Sequence, residues 1–153
     1  MEFKAKYFDE LTTRELYEIA RARTEVFLLE QKIICQDLDG VDYDSLHCFL
    51  EDNGRVIAYL RAYRHGDNGV KIGRVLSVTH GIGLGTELMK RSLDVIRERF
   101  ACADISLHAQ KRAEIFYQKQ GFKTVSPVFL EDDIPHVKMV LDTASCDESA
   151  DGS

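Results

Sequence analysis

Apolar residues recur along the chain with two periods, every second residue in some segments and every third or fourth in others, and these patterns predict strands and helices. Thr12-x-x-Glu15 forms a capping box at the start of the first helical pattern. Asp52-Asn53-Gly54 joins two strand patterns and indicates a β-hairpin. In chain order, the patterns predict a strand at 2–8, a helix at 11–31, two strands within 46–63, a strand at 70–78, a helix at 86–100, a strand at 103–109, a helix at 111–120 and strands at 122–129 and 134–141.

Two of these patterns also predict which side chains share a face. The strand at 70–78 alternates without a break, and the helix at 86–100 carries a single apolar stripe. The positions are Val70, Ile72, Arg74, Leu76 and Val78 in the strand, and Met89, Leu93, Ile96 and Phe100 in the helix.

The order of the elements predicts an α/β fold. Hairpin-joined strands come early, and a strand–helix–strand unit follows in the middle of the chain. A doubly wound dinucleotide-binding fold would instead alternate strands and helices throughout. The order therefore excludes that class.

Composition narrows the class of protein. A length of 153 residues fits one domain, which we expect to span residues 1–142, and an acidic tail at 143–153 without apolar periodicity is expected to be disordered. The net charge of −6 argues against nucleic-acid binding. No apolar run approaches the roughly 20 residues of a membrane helix. The N-terminal segment lacks the apolar core of a signal peptide, so we expect a cytoplasmic protein with reduced thiols at Cys35, Cys48, Cys102 and Cys146.

Three glycines at alternate positions, Gly81, Gly83 and Gly85, lie between a predicted strand and a predicted helix. Free N–H groups and the helix dipole favour a phosphate or pyrophosphate at such a turn. The spacing is not G-x-G-x-x-G, and no Gly-Lys-Ser/Thr follows, which counts against a nucleotide-binding protein for ATP or NAD. A flexible glycine-rich connector is the alternative.

Two motifs in the right order resemble the GNAT superfamily of N-acetyltransferases. The segment "HGIGLGTELMKRSL" is similar to the acetyl-CoA-binding motif of that family, with His80 at the usual Gln/Arg position. The segment "AEIFYQKQGF" is similar to its second signature, a short helix that carries Ala-x-x-Phe-Tyr. Residues 21–139 are similar in particular to the ElaA-type subgroup, at "RTEVFLLEQ", "QDLDGVD", "GRV" and "EDDIPHVKM".

The resemblance implies a mixed, mostly antiparallel central sheet flanked by helices, with splayed middle strands that admit acetyl-CoA as the cosubstrate. It implies no metal, a small-molecule or peptide amine as the acceptor, and a possible homodimer. A non-catalytic module that binds or senses acyl-CoA is the alternative function. The implied cofactor-binding residues are Val75, Leu76, Ser77, His80, Gly81, Ile82, Gly83, Leu84, Gly85, Thr86, Gln110 and Phe116.

Candidate catalytic residues follow from the chemistry of amine acetylation. Tyr117 lies at the position where the family has its general acid, and a phenol can protonate a departing thiolate. Glu30, His136 and His47 are candidates for the general base, acting directly or through a water relay. Glu30 could equally be an ordinary solvated carboxylate, whereas a lone histidine such as His136 is more often a hydrogen-bonded structural residue. Tyr117 and His47 could likewise be packed in the core.

An acidic segment lies at residues 36–44 and contains four aspartates. We expect either a solvated loop or an acidic rim that attracts a cationic amine. The aspartates are Asp37, Asp39, Asp42 and Asp44.

Overall fold

The computed structural model describes residues 1–101 and 104–142. Cys102, Cys146 and the predicted tail at 143–153 lie outside these residues. The strands in these residues are β1 Glu2–Tyr7, β2 Leu46–Asp52, β3 Arg55–His65, β4 Gly69–Ser77, β5 Asp104–Gln110, β6 Lys123–Thr124, β7 Phe129–Glu131 and β8 Ile134–Asp142. These eight strands form one sheet in the order β1-β2-β3-β4-β5-β8-β6, with β7 paired to β8.

Among the strands of residues 1–101 and 104–142, only β4 and β5 pair in parallel and the remaining pairs are antiparallel, so the predicted mixed and mostly antiparallel sheet is confirmed. The hairpin between β2 and β3 turns at Asn53 and Gly54, whose φ angles of 51° and 78° are both left-handed. Such a pair of angles matches the twist of antiparallel strands and explains why Asn-Gly is a hairpin signal.

Three helices cover the sheet: α1 Thr13–Arg23, α2 Leu84–Phe100 and α3 Glu114–Lys119. The predicted capping box begins α1, because the Thr12 hydroxyl accepts from the Glu15 N–H at 3.0 Å and the Glu15 carboxylate accepts from the Thr12 N–H at 2.8 Å. A π-helix at Thr24–Glu30 continues α1. No helix in the described part of the chain is long and apolar enough to cross a membrane.

Two apolar cores lie on opposite faces of the sheet. The predicted stripe of α2 is buried in the larger core, whereas α1 and the π-helix cover the smaller one. Burial of a large apolar side chain contributes roughly 1.5–3 kcal/mol, so this stripe fixes α2 against the sheet. The buried α2 residues include Leu88, Met89, Leu93, Ile96 and Phe100, and the smaller core contains Ile19, Ala22, Val26, Phe49, Tyr59 and Leu76.

The predicted unbroken alternation of β4 is wrong beyond Gly73. The register against β3 shifts between Tyr59 and Arg61, and Arg74 has a left-handed φ of 55°. A bulge of this kind inserts one residue and moves the following side chains to the other face. Ile72 therefore lies in the larger core, while Leu76 lies in the smaller one.

The strand predicted at 122–129 is also interrupted. Two short strands, β6 and β7, pair separately with β8, and the residues between them form no strand. Pro127 lies in this gap, and a proline cannot donate a ladder hydrogen bond.

The middle of the sheet opens where β4 and β5 diverge. The two strands pair from Gly69–Asp104 to Ile72–Leu107, and neither strand pairs with the other beyond that point. Both strands nevertheless continue, β4 to Ser77 and β5 to Gln110. The predicted splayed middle strands are therefore confirmed.

Candidate active site

A cleft of about 200 Å³ occupies the gap between the diverging ends of β4 and β5. Strands β4, β5 and β8, helix α3, and the segment that follows the π-helix all contribute side chains or backbone to its walls. The residues that bear on the chemistry are Gly73, Val75, His108, Gln110, Tyr117 and His136.

The glycine turn lies between the end of β4 and the start of α2. Gly81 and Gly83 have φ angles of 80° and 81°, which non-glycine residues adopt only with strain. No atom lies within 4 Å of the point where a Cβ would stand at either residue, so space remains around the backbone. The first N–H groups of α2 have no partner within the helix. The turn thus has the geometry that suits an anionic phosphate group.

Other residues of the motif have different surroundings. A Cβ at Gly85 would lie 3.4 Å from the ring of Phe116, so this glycine brings α2 close to α3. Leu84 is buried in the larger core, and Ile82 is exposed. Thr86 is exposed in the first turn of α2. Because its side chain is buried, Leu84 can offer only its backbone groups to a ligand.

The β4 edge that faces the cleft is free of strand partners over residues 73–77, because pairing with β5 ends at Ile72. On the opposite edge, Leu76 pairs with Tyr59 and Ser77 with Ala58. The side chain of Val75 lines the cleft. The predicted segment Val75–Ser77 therefore offers backbone groups to an extended ligand, as in β-augmentation.

The sequence allowed Tyr117 of α3 either a packing role or a catalytic one, and its surroundings are compatible with both. Its ring packs edge-on against Phe116 and Phe122 at centroid distances of 5.1 and 6.0 Å, and the residue is only 7% exposed. It also lines the cleft. Burial raises the pKa of its hydroxyl, so the group carries a proton at neutral pH.

Glu30 lies beside the glycine turn. Its Oε1 is 2.6 Å from Nε2 of His80. This contact joins the end of the π-helix to the start of the turn. Both side chains are substantially exposed, and Glu30 is not among the residues that line the cleft. Glu30 and His80 are therefore brought together at the predicted phosphate end of the site.

His136 lies in the cleft wall near His108 and Glu131, two residues that no sequence motif indicates. His108 Nδ1 is 2.9 Å from Glu131 Oε1, and His136 Nε2 is 3.6 Å from Glu131 Oε2. Phe129 contacts both imidazoles, edge-on against His108 and stacked on His136. The position of His108 in the last residues of β5, beyond the point of divergence, is the feature that could have identified it.

Gln110 connects the two sides of the site. Its side-chain amide donates to Gln31 Oε1 at 3.1 Å, and its own oxygen accepts from Arg112 Nε at 2.8 Å. Gln31 directly follows the π-helix. The end of β5 is thereby tied to the end of the first helical region across the cleft.

The acidic segment is not the expected solvated loop or free acidic rim. Arg23, which is 1% exposed, binds Asp42 at 2.6 Å and Asp37 at 3.0 Å. Arg61 forms a two-pronged pair with Asp39 at 2.8 Å. These hydrogen bonds lower the pKa of Asp39 to about 2. The three carboxylates are thus neutralised by buried or half-buried arginines, which fix the loop against the sheet.

His47 is a structural residue. It is buried, its Nε2 lies 2.9 Å from the Asp42 carbonyl and its Nδ1 lies 2.7 Å from the Tyr59 hydroxyl. Because a carbonyl only accepts, Nε2 carries the proton and Nδ1 accepts from Tyr59. Burial lowers the pKa of His47, which keeps the ring neutral.

Comparison with known proteins gives one consistent family. A family model described as "Acetyltransferase (GNAT) domain" matches residues 16–143. A UPF0039 protein of Schizosaccharomyces pombe is 37% identical over 146 residues, which cover 93% of this chain and 97% of the relative. Protein ElaA of Escherichia coli is 33% identical over 145 residues, which cover 91% of this chain and 95% of ElaA.

Two crystal structures share the fold at similar identity. That of Escherichia coli ElaA superposes with a TM-score of 0.87 at 32% identity and covers 93% of this chain and 100% of its own. That of an acyl-CoA N-acyltransferase from Pseudomonas aeruginosa has a TM-score of 0.86 at 37% identity and covers 92% of this chain and 99% of its own.

The open sheet, the glycine turn and these relatives define an acyltransferase of the GNAT superfamily, to which this chain belongs. Within that superfamily it is of the ElaA type, as the sequence motifs predicted. Members of the superfamily transfer acyl groups from acyl-CoA, and its acetyltransferases act on small-molecule or peptide amines.

Proposed function

We propose that the protein transfers an acetyl group from acetyl-CoA to a primary amine, by direct attack of the amine on the thioester. The observation that carries this proposal is the cleft itself: an unpaired β4 edge leads from the glycine turn to a buried phenol. A non-catalytic sensor would need the turn and the edge but would have no use for Tyr117 in the cleft.

In this proposal, acetyl-CoA lies along the glycine turn and the unpaired edge of β4. The amides of residues 81–86 would hold the pyrophosphate, with His80 and the ring of Phe116 beside it. The backbone of residues 75–77 would hold the pantetheine arm, and Gln110 borders the arm from β5. Two left-handed glycines with open space above them support this placement, since a phosphate can approach their amides closely.

The chain must also offset the cost of deprotonating the acceptor. A lysine-like amine with a pKa near 10.4 needs about 4.6 kcal/mol to become neutral at pH 7. A base in a partly desolvated cleft offsets that cost. Of the two base candidates from the sequence, His136 lies in the cleft wall and Glu30 pairs with His80, so we place the base on the His136 side.

The departing thiolate needs a proton, and Tyr117 supplies it in this proposal. Burial raises the pKa of its hydroxyl, so the proton is present when the thiolate forms. The oxyanion that develops on the thioester carbonyl would be stabilised by an amide of the unpaired β4 edge.

The experiment is a thiol-release assay with acetyl-CoA and a panel of four acceptors: a small alkylamine, a polyamine, an amino sugar and a peptide with a free N-terminus. We expect amine-dependent release of free thiol with at least one class and mass-spectrometric detection of its acetylated product. Binding of acetyl-CoA by calorimetry without release for any amine would favour the sensing module instead.

A further inference from the structure

The His108–Glu131 pair has the geometry of an oriented base. Glu131 comes from β7 and reaches back to the end of β5, where its Oε1 lies 2.9 Å from His108 Nδ1. His108 is half-buried, with 29% of its side chain exposed, and it lines the cleft together with Tyr117. A side chain that is both anchored at one nitrogen and open to the cleft is suited to proton transfer.

The hydrogen-bond partners fix which nitrogen is free. An ionised carboxylate can only accept, so His108 Nδ1 donates to Glu131 and Nε2 keeps its lone pair when the ring is neutral. A carboxylate that holds Nδ1–H in this way is the arrangement that orients a histidine base in hydrolytic triads. Phe129 packs edge-on against the ring at a centroid distance of 5.1 Å and restricts its rotation.

His136 is less available for the same task. Its Nδ1 donates to the carbonyl of Ile134 at 2.7 Å, and its Nε2 faces Glu131 Oε2 at 3.6 Å. The residue is only 7% exposed. Both nitrogens of His136 are therefore directed at neighbouring groups of the protein.

We propose that His108 is the general base of the transfer, acting through Nε2, and that Glu131 is the positioning residue that holds it. This inference rests on the proposed function and adds to it the residue that takes the proton. It replaces His136 and Glu30 in that role.

His108, Tyr117 and solvent account for every proton that moves in the reaction. The acceptor ammonium gives one proton to His108 Nε2, and His108 releases it to solvent. The amine nitrogen then bonds to the thioester carbon, and the electron pair of the C–S bond leaves on sulfur, which takes the proton of the Tyr117 hydroxyl. The second proton lost by nitrogen returns to the Tyr117 phenolate through solvent. The net products are an amide, a free thiol and one released proton.

Charged groups around His108 come from several elements. Glu131 of β7 binds His108, Lys138 of β8 is its cross-strand partner, and His136 of β8 faces Glu131. Lys71 of β4 lies close enough to Glu131 and Lys138 to interact with their charges. The other charged residues that line the cleft are Asp37, Arg74, Arg112 and Asp132.

The kinetic test compares four single variants with the parent, using any amine that supports thiol release. His108→Gln should lower kcat by roughly 10²–10⁴-fold with unchanged acetyl-CoA affinity, and imidazole should partly restore turnover in His108→Ala. The acid limb of the pH profile of kcat/KM should disappear in His108→Gln but persist in His136→Gln. His65→Gln, at an exposed site on the end of β3, is the matched control and should behave as the parent.

Parent-like turnover and an unchanged acid limb in a folded His108→Gln protein would overturn the inference. The proposed function would survive that result, because it requires only thiol release by the parent. Loss of the acid limb in His136→Gln alone would return the role to His136.

A second measurement needs no acceptor. Long-range ¹H–¹⁵N spectra of histidine-labelled protein report which ring nitrogen is protonated. We expect neutral His108 to carry its proton on Nδ1 in the parent and to lose that preference in Glu131→Ala. A proton on Nε2 of neutral His108 in the parent would contradict the inference even if no working amine has been found.

Discussion

At the scale of single residues, the positions of the charged groups decide what each can do. The aspartates of the acidic segment share a sequence pattern that suits either a loop or a rim, yet three of them are bound by arginines from other elements. Burial acts to raise the pKa of Asp42, but hydrogen bonds and charges from Arg23 and Arg61 together lower it. The segment thus serves to fix one wall of the cleft.

Acid should therefore weaken the fold through this segment. The pKa of Asp39 is about 2 in the folded protein and 3.8 as its ordinary value, so Asp39 stabilises the fold fully above pH 3.8 and loses that contribution as the pH falls towards 2. Asp39→Asn should lower the urea midpoint at pH 6 and make it fall less steeply between pH 4 and 2.5. Asp44→Asn, at an exposed position of the same segment, is the control, and an equal effect in both variants would contradict the ion-pair account.

Tyr117 offers a test in which packing and chemistry separate. Tyr117→Phe keeps the ring against Phe116 and Phe122 and removes only the hydroxyl. We expect normal folding, parent-like acetyl-CoA affinity and a fall in turnover of roughly 10²–10⁴-fold in the thiol-release assay. Weaker binding with intact turnover would instead assign the hydroxyl to ground-state binding.

At the scale of elements, the sequence predicts local features well and long-range register poorly. The capping box at Thr12, the Asn53-Gly54 turn and the stripe of α2 depend on neighbouring residues, and all three appear in the structure. The bulge at Arg74 and the break between β6 and β7 depend on partners that are distant in sequence. Periodicity within one strand carries no information about such partners.

The same limit explains which residues of the candidate site can be predicted from the sequence. The glycine turn is a local motif, so it was found from the sequence, and Tyr117 was found through a motif of the family. His108 was missed because its role depends on Glu131, which lies 23 residues away in sequence and approaches only when β7 folds back onto β8. Base candidates chosen from a single segment cannot reveal such a pair.

The glycine turn gives the element-scale prediction. Gly83→Val should weaken CoA binding at least tenfold, about 1.4 kcal/mol, because a branched side chain would keep phosphate oxygens away from the amides. Gly66→Val is the matched control, since Gly66 also has a left-handed φ of 74° and open space around it, in a turn between β3 and β4. Both variants carry similar backbone strain, so calorimetry with CoA isolates the effect on the ligand. Equal affinities would refute the phosphate role of the turn.

At the scale of the whole molecule, the residues of the candidate site surround one opening in the sheet. The sheet is continuous from β1 to β4 and again from β5 to β6, and its two halves part beyond Ile72 and Leu107. The free edge of β4 and Tyr117 border that opening, and the glycine turn lies between the end of β4 and the start of α2. Asp37 of the paired acidic segment and Asp132 of the β7–β8 hairpin also line it. In our proposal, acetyl-CoA completes the sheet at this position.

Hydrogen exchange measured with and without acetyl-CoA tests that claim most directly. We expect slower exchange at the amides of residues 73–77 and 81–86, with little change in β1 and β2 at the far side of the sheet. Protection confined to other segments, or no protection at saturating acetyl-CoA, would contradict the assignment of this opening as the cosubstrate site.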